Sequence, residues 1–225
     1  MKMGKLIVIE GTDGSGKSTQ FSLLTRRLEE EKVTFRRLVF PRYSEPSSAL
    51  IKMYLGGAFG SDPKAVNGYA ASAFYAVDRY ASYKQDWGQW YENGGVVISD
   101  RYTTSNAVHQ ASKLPSEERE AFLQWLYDFE YRMLELPKPD LTIYLDVTTD
   151  CTEKLMRHRE QETNTKADIH EQDMAYLATC RQAGREAAAI SGWTVIQCVQ
   201  DGVMRSVEDI HEEIYAQIMK VLEEQ

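Results

Sequence analysis

Disulfides and zinc clusters have little to be built from in this chain. Cys151, Cys180 and Cys198 are its three cysteines in 225 residues, widely spaced and without a C-x-x-C pair. Such thiols predict a reduced, cytoplasmic protein with neither a disulfide framework nor a structural zinc. No apolar run approaches the ~18 residues of a membrane span. The first strand-like run starts within a few residues of the N-terminus, so neither membrane insertion nor a targeting leader is expected. Positive charge is also scarce: 26 lysines and arginines stand against 34 acids, a net charge of −8. That balance argues against a nucleic-acid-binding surface and requires any anionic ligand to be met by local cations. With six prolines and no low-complexity tract, linker or repeat, residues 1–225 read as one domain.

What is present is an alternation of short β-branched runs with longer helical patterns, the mark of βαβ units around a parallel sheet covered on both faces. Five strands are predicted: Lys5–Glu10, Thr34–Phe40, Gly95–Ser99, Leu141–Asp146 and Trp193–Gln197. Helices are expected over Lys17–Glu31, Ser47–Leu55, from Ser116 to before Pro137, and over Ser206–Glu224. Asp62-Pro63 reads as the cap of a long helix running to Tyr91, with Val66, Tyr69, Ala73, Val77, Tyr80 and Trp87 spaced as its core face. The polar stretch Glu160–Lys166 is too hydrophilic to pack and reads as a mobile flap inserted at about residues 157–170.

Between the first strand and first helix, Gly11-Thr12-Asp13-Gly14-Ser15-Gly16-Lys17-Ser18 matches the phosphate-loop template G-x-x-x-x-G-K-[ST]. Its glycines free the backbone so that successive N–H groups, with those of Ser15 and Thr19, turn toward phosphate oxygens. Lys17 supplies a charge able to reach the β- and γ-phosphates, and the Ser18 hydroxyl suits Mg²⁺.

Other constellations fall at strand ends on the same sheet edge, where ligands bind. Asp100-Arg101-Tyr102 offers a Mg²⁺ carboxylate beside a guanidinium fork for phosphate, and Phe40-Pro41-Arg42 carries another arginine to the mouth. On the long helix Tyr75 and Arg79, one turn apart, can stack on a base and reach its phosphate; Phe74 is the competing ring. Ser105, Asn106, His109 and Gln110 put two amides and an imidazole on one helix side, suited to a pyrimidine edge. Arg157, Arg159 and Lys166 bracket the flap and are suited to closing over a transferring phosphate.

Taken together, Ile9–Gln20, Phe40-Pro41-Arg42, the Tyr75/Arg79 pair and Asp100-Arg101-Tyr102 with Ser105, Asn106 and Gln110 resemble the thymidylate kinase family over nearly the whole chain. The resemblance implies a P-loop α/β fold of nucleoside-monophosphate kinase type, a five-stranded parallel sheet with helices on both faces and a mobile lid. It implies transfer of the γ-phosphate of ATP to dTMP, with Mg²⁺ and a homodimer. Asp13 resembles the loop acid that meets the dTMP sugar and helps organise Mg²⁺. Arg42, Arg79 and Arg101 match arginines around the dTMP phosphate, Tyr75 the stacking ring, and Ser105, Asn106 and Gln110 the base-reading helix. His109 stands where the family usually has a tyrosine sensing the 2′ side of the sugar. Gly14 matches the branch that draws its catalytic cation from the lid, with Arg157, Arg159 and Lys166 as candidates. Asp168-Ile169-His170-Glu171 resembles Asp-Arg-Ile-Glu with the arginine lost, and Glu171 keeps the carboxylate for Mg²⁺ or the phosphate site.

Two rivals carry different chemistry. A deoxynucleoside kinase needs a carboxylate base, for which Glu10 and Asp100 are the available acids. A GTP-dependent switch would need a guanine-reading Asn-Lys-x-Asp, which Asn164–Asp168 resembles only superficially because an extra residue breaks the spacing.

Overall fold

All four side chains of Leu6-Ile7-Val8-Ile9 are fully buried, and alternation sends them to opposite faces, so their strand must be covered on both sides. The computed structural model describes residues 3–60, 62, 64–163 and 174–223, the side chains of 158–163 excepted. Its sheet strands are β1 (Lys5–Gly11), β2 (Phe35–Val39), β3 (Val96–Asp100), β4 (Leu141–Asp146) and β5 (Thr194–Gln197), parallel and ordered β2-β3-β1-β4-β5. Each lies within one residue of its predicted ends. The helices are α1 (Lys17–Glu30), α2 (Ala49–Leu55), α3 (Gly68–Ser82), α4 (Gly88–Glu92), α5 (Thr103–His109), α6 (Ser116–Tyr127), α7 (Thr149–Thr163), α8 (Met174–Ser191) and α9 (Val207–Glu223).

On one face Ile7, Ile9, Ile98 and Ile143 pack against Phe21, Leu24 and Leu28 of α1 and Ile210, Ile214 and Ile218 of α9. On the other, Leu6, Val8 and Val97 meet Trp87, Tyr102 and Leu136. Pairing of Ile9 with Asp100 and of Gly11 with Leu145 aligns the C-terminal ends of β1, β3 and β4 on one edge. The phosphate loop and Asp100-Arg101 therefore emerge side by side. Among the described residues no helix is long and apolar enough to cross a membrane.

The long helix departs from expectation in two ways. It begins at Gly68, not Asp62: Asn67 caps it, its Oδ1 accepting from the Ala70 N–H at 2.9 Å, while Asp62 turns its carboxylate onto the Lys64 N–H. The face read as core is also largely outside. Tyr69, Val77 and Tyr80 are 40%, 51% and 40% exposed, whereas Ser72, Asp78, Arg79 and Ser82 are buried. The polar face can go inward because its charges find partners: Asp78 accepts from Ser47 Oγ and the Arg42 N–H, and Arg79 is bound by Glu130. A π-helical turn, Tyr83–Trp87, then adds a residue to the ladder and rotates the following surface, so Trp87 is fully buried although Tyr80 is not. A second such turn, Asp128–Met133, continues α6 toward Pro137. Gln200-Asp201-Gly202 forms the tip of a small hairpin pairing Val199–Gln200 with Val203–Met204. Asp201 and Gly202 both have positive φ, as a tight hairpin turn requires.

Because Trp87 fills the sheet's second face from that shifted register, Trp87→Ala is expected to cost about 3–5 kcal/mol of stability. Urea unfolding measures it; a loss below about 1 kcal/mol would mean that the π-turn does not anchor this core.

Candidate active site

Gly16 precedes α1 at φ 82, in left-handed space that favours glycine. Gly14 is at φ 72, and a Cβ there would stand 2.6 Å from Met156 Cγ on α7. Room that a side chain would occupy is taken by Met156 and Thr152 of α7. Within the loop, Lys17 Nζ donates to Thr12 O at 2.7 Å, and the Ser15 N–H to the same oxygen at 3.2 Å. Asp13 to Thr19, with Asp100, Arg101 and Leu155, line the cavity above it. Asp100 Oδ1 is buried there with no hydrogen-bond partner among the described residues, as is Ser15 Oγ. An orphaned carboxylate oxygen beside the exposed Ser18 fits a Mg²⁺ bound mainly by phosphates. Among the described residues no group of three or more His, Cys, Asp or Glu forms a dedicated cage.

Arg101 stands at φ 67, an uncommon backbone conformation held by its N–H donating to Ile9 O at 3.1 Å and by Ser99 Oγ donating to Arg101 O at 2.6 Å. Its guanidinium pairs with Asp13 and contacts Ser105 Oγ at 3.4 Å and His109 Nε2 at 3.1 Å. A guanidinium only donates, so Nε2 accepts and the imidazole proton sits on Nδ1. Burial opposes ionisation of Asp13, but the Arg101 and Lys17 cations hold its carboxyl well below the usual range. Behind the pair, Glu10 Oε1 accepts from the Gly11 N–H at 3.0 Å, and Oε2 from Thr104 Oγ1 and Ser105 Oγ, each at 2.7 Å.

Asp13 and Arg101 also wall a second cavity, lined by Phe40, Pro41, Tyr43, Leu55, Tyr75, Arg79, Tyr102, Ser105, Asn106, His109, Gln110 and Tyr176. Of the two candidate rings, Tyr75 faces it while Phe74 packs on Tyr54 and Phe59. Burial raises the Tyr75 phenol far above its ordinary value, so the ring is neutral. Gln110 Oε1 is buried without a partner among the described residues. Arg79 is not a free cation: Nε and Nη2 donate to Glu130 at 2.6 and 2.5 Å, and Nη1 to Tyr102 O at 3.3 Å.

Most sequence-predicted residues thus converge on two adjoining cavities. Arg42 turns its N–H to Asp78 Oδ2 at 2.8 Å and its Nε to within 3.6 Å of Oδ1; the wall here is Phe40, Pro41 and Tyr43. Its Nε and Nη2 are buried without a hydrogen bond among the described residues. Arg157 is exposed on α7 and paired with Glu153. The Arg159 side chain, Lys166 and Glu171 lie outside the described residues. Sequence reasoning missed Glu130, Asp78, Tyr43 and Tyr176. For the two acids the available signal was a carboxylate set among aromatic and small residues on a helical face.

A family model described as thymidylate kinase matches residues 9–214. A thymidylate kinase of Mycobacterium tuberculosis is 32% identical over 84% of this chain and 87% of its own length. A probable thymidylate kinase of Pyrobaculum aerophilum is 32% identical over 84% and 86%. The solved structure of the Candida albicans thymidylate kinase superposes with a TM-score of 0.72 at 21% identity, covering 99% of this chain and 94% of that one. This last likeness concerns the fold.

Burial presses the Lys17 ammonium down to about 8, with Arg101 adding to the depression and Asp13, Asp100 and Glu10 opposing it. Above that pH the ligand-free lysine loses its proton, whereas a bound phosphate draws the pKa back up. Polyphosphate binding therefore takes up a proton, and ATP affinity is expected to fall from pH 8 toward 10, approaching about tenfold per unit. Calorimetric titration across pH 7–10 checks this; a flat profile refutes the assignment of Lys17 to the phosphates.

Proposed function

The chain belongs to the thymidylate kinase family, and on that premise we propose how its residues carry out the family's reaction. The γ-phosphate of ATP passes to dTMP, giving dTDP and ADP. The observation that carries the reading is the shared wall: Asp13 and Arg101 border both the phosphate-loop cavity and the aromatic pocket. A group at that junction can touch a donor phosphate and an acceptor phosphate together, which is what in-line transfer requires.

Loop N–H groups, the N-terminus of α1 and Lys17 hold the donor phosphates. Ser18 and Asp100, with Asp13 at the junction, would hold Mg²⁺, which supplies charge neutralisation at the β- and γ-phosphates when bound. Arg101 bridges to the acceptor phosphate, and the unpartnered donors of Arg42 support a second contact there. Tyr75 stacks on the base, and Ser105, Asn106, His109 and Gln110 line its edge and sugar. Arg79, already neutralised by Glu130, is assigned to the base end instead of the phosphate. The lid, at about residues 157–170 of a single domain, delivers a cation from Arg157, Arg159 or Lys166 and excludes water; Glu171 sits beside it in sequence. Three buried free thiols support a reducing, cytoplasmic setting.

No side-chain base is needed, because the attacking phosphate oxygen is already anionic. The deoxynucleoside-kinase alternative is weakened by Glu10, which is fully buried and already accepts three hydrogen bonds. The phosphate-loop chemistry needs no guanine reader, and the switch alternative has no observation in its favour. A homodimer is supported by the exposed apolar side chains Tyr69, Val77 and Tyr80 on α3 and Leu50 and Met53 on α2.

With ATP as donor in a coupled ADP assay, dTMP is expected to be turned over and thymidine not; thymidine turnover without dTMP turnover overturns the assignment. In the same panel His109→Tyr is expected to change the dUMP/UMP ratio, and an unchanged ratio removes His109 from sugar sensing. Sedimentation should show a dimer that Val77→Glu dissociates; a wild-type monomer refutes the pairing.

A further inference from the structure

Four donors from two helices, α3 and α5, converge on one buried carboxylate. Glu130, fully buried on the π-helical turn after α6, accepts from Arg79 Nε and Thr103 Oγ1 on Oε2, at 2.6 and 2.7 Å. Its Oε1 accepts from Arg79 Nη2 at 2.5 Å and faces Asn106 Nδ2 at 3.4 Å. The same Nδ2 lies 3.3 Å from Ser72 O. A backbone carbonyl and a carboxylate are both acceptors, so the amide nitrogen must turn to them and Oδ1 is left for the other side. Arg79 and Asn106 both line the aromatic pocket. The pocket is thereby offered a guanidinium donor next to an amide acceptor, in an order that Glu130 dictates.

That order has a chemical complement. A pyrimidine with a 4-oxo group and an N3–H presents an acceptor beside a donor, and both are satisfied. A 4-amino pyrimidine presents a donor beside an acceptor, and both are opposed. We propose that Glu130, without touching substrate, is the positioning residue that sets the polarity of the base-reading edge and so selects 4-oxo over 4-amino pyrimidine monophosphates. The proposal rests on the thymidylate kinase reading and deepens it. The charge of Glu130 matters because it gives two acceptor oxygens. A carboxamide gives one, and its NH₂ would confront Arg79 Nη2 and Asn106 Nδ2 in one rotamer, favouring rotation of the Asn106 amide, or Arg79 Nε and Thr103 in the other, breaking the pair that holds the guanidinium.

The test is Glu130→Gln assayed with dTMP, dUMP and dCMP, the last two differing only at the edge in question. Expected is a dUMP/dCMP ratio of kcat/KM that falls by about tenfold or more, since leaving the site's polar groups unpaired is what separates such analogues. The loss should appear in KM, with kcat for dTMP held within about threefold, because the phosphate machinery is untouched. A general loss of folded enzyme would lower kcat for all acceptors alike and leave the ratio unchanged, and an unchanged ratio overturns the proposal. If Glu130→Gln does not fold, Thr103→Val removes one donor to Glu130 while keeping the charge pair. It is expected to lower the ratio by roughly threefold, and no change there overturns the proposal equally. Failure of wild type to use dTMP at all would instead sink the functional reading.

Discussion

Arg101 is the joint of the molecule. Parallel pairing of β1 with β3 brings Asp100 level with Ile9, so the residue after β3 emerges beside the loop after β1. The chain there adopts left-handed backbone, tied by Ile9 O and Ser99 Oγ, and the guanidinium swings to Asp13, Ser105 and His109. Glu10 sits 3.9 Å behind it. A cation held between two acids and a neutral imidazole stays charged in a half-buried place, and its pKa is driven upward despite partial desolvation. Without that anionic surround a guanidinium there would carry an unoffset desolvation cost, and the donor and acceptor cavities would lose their common wall.

The two cavities are built on different principles. The donor side is local: a loop of successive residues turns its backbone inward, and two neighbouring strand ends supply Asp100 and Arg101. The acceptor side is assembled from remote pieces. Arg79 and Glu130 are 51 residues apart, and Arg42 and Asp78 are 36 apart. Each pair buries a charge that would otherwise be costly, and the Arg79–Glu130 pair fixes an arginine that lines the second cavity.

This difference decides what was legible in the sequence. All five sheet strands were, because β-branched runs bounded by polar turns need no partner to be recognised, and so was the phosphate loop with its residue-by-residue logic. The inward face of α3 was not. Its apolar spacing pointed to Tyr69, Val77 and Tyr80, yet Ser72, Asp78, Arg79 and Ser82 are what face inward. Periodicity reports where apolar groups lie, and it misleads when polar groups on the other face find buried partners elsewhere in the chain. The helix start at Asn67 escaped for a local reason: Asp62 offered an equally good cap and spent it on a turn. The register change at Tyr83–Trp87 leaves no mark in composition, because a π-turn is a response to packing.

A consequence follows for how the site can vary. In the proposed reading phosphate binding rests largely on backbone N–H groups, which no side-chain change removes, and on Lys17, whose position is fixed by Thr12 O. The acceptor, in the same reading, is met by side chains whose orientation is set one step back, by Asp78 behind Arg42 at the phosphate and by Glu130 behind Arg79 and Asn106 at the base. Selectivity can therefore shift through residues that meet no ligand, while the transfer chemistry stays as it is. Gly14 marks the limit of that freedom on the donor side: with Met156 Cγ 2.6 Å from where its Cβ would be, the loop and α7 can change only together. In the proposed reading the cation completing the transferring phosphate is therefore drawn from the lid segment and not from position 14, where a side chain would meet Met156.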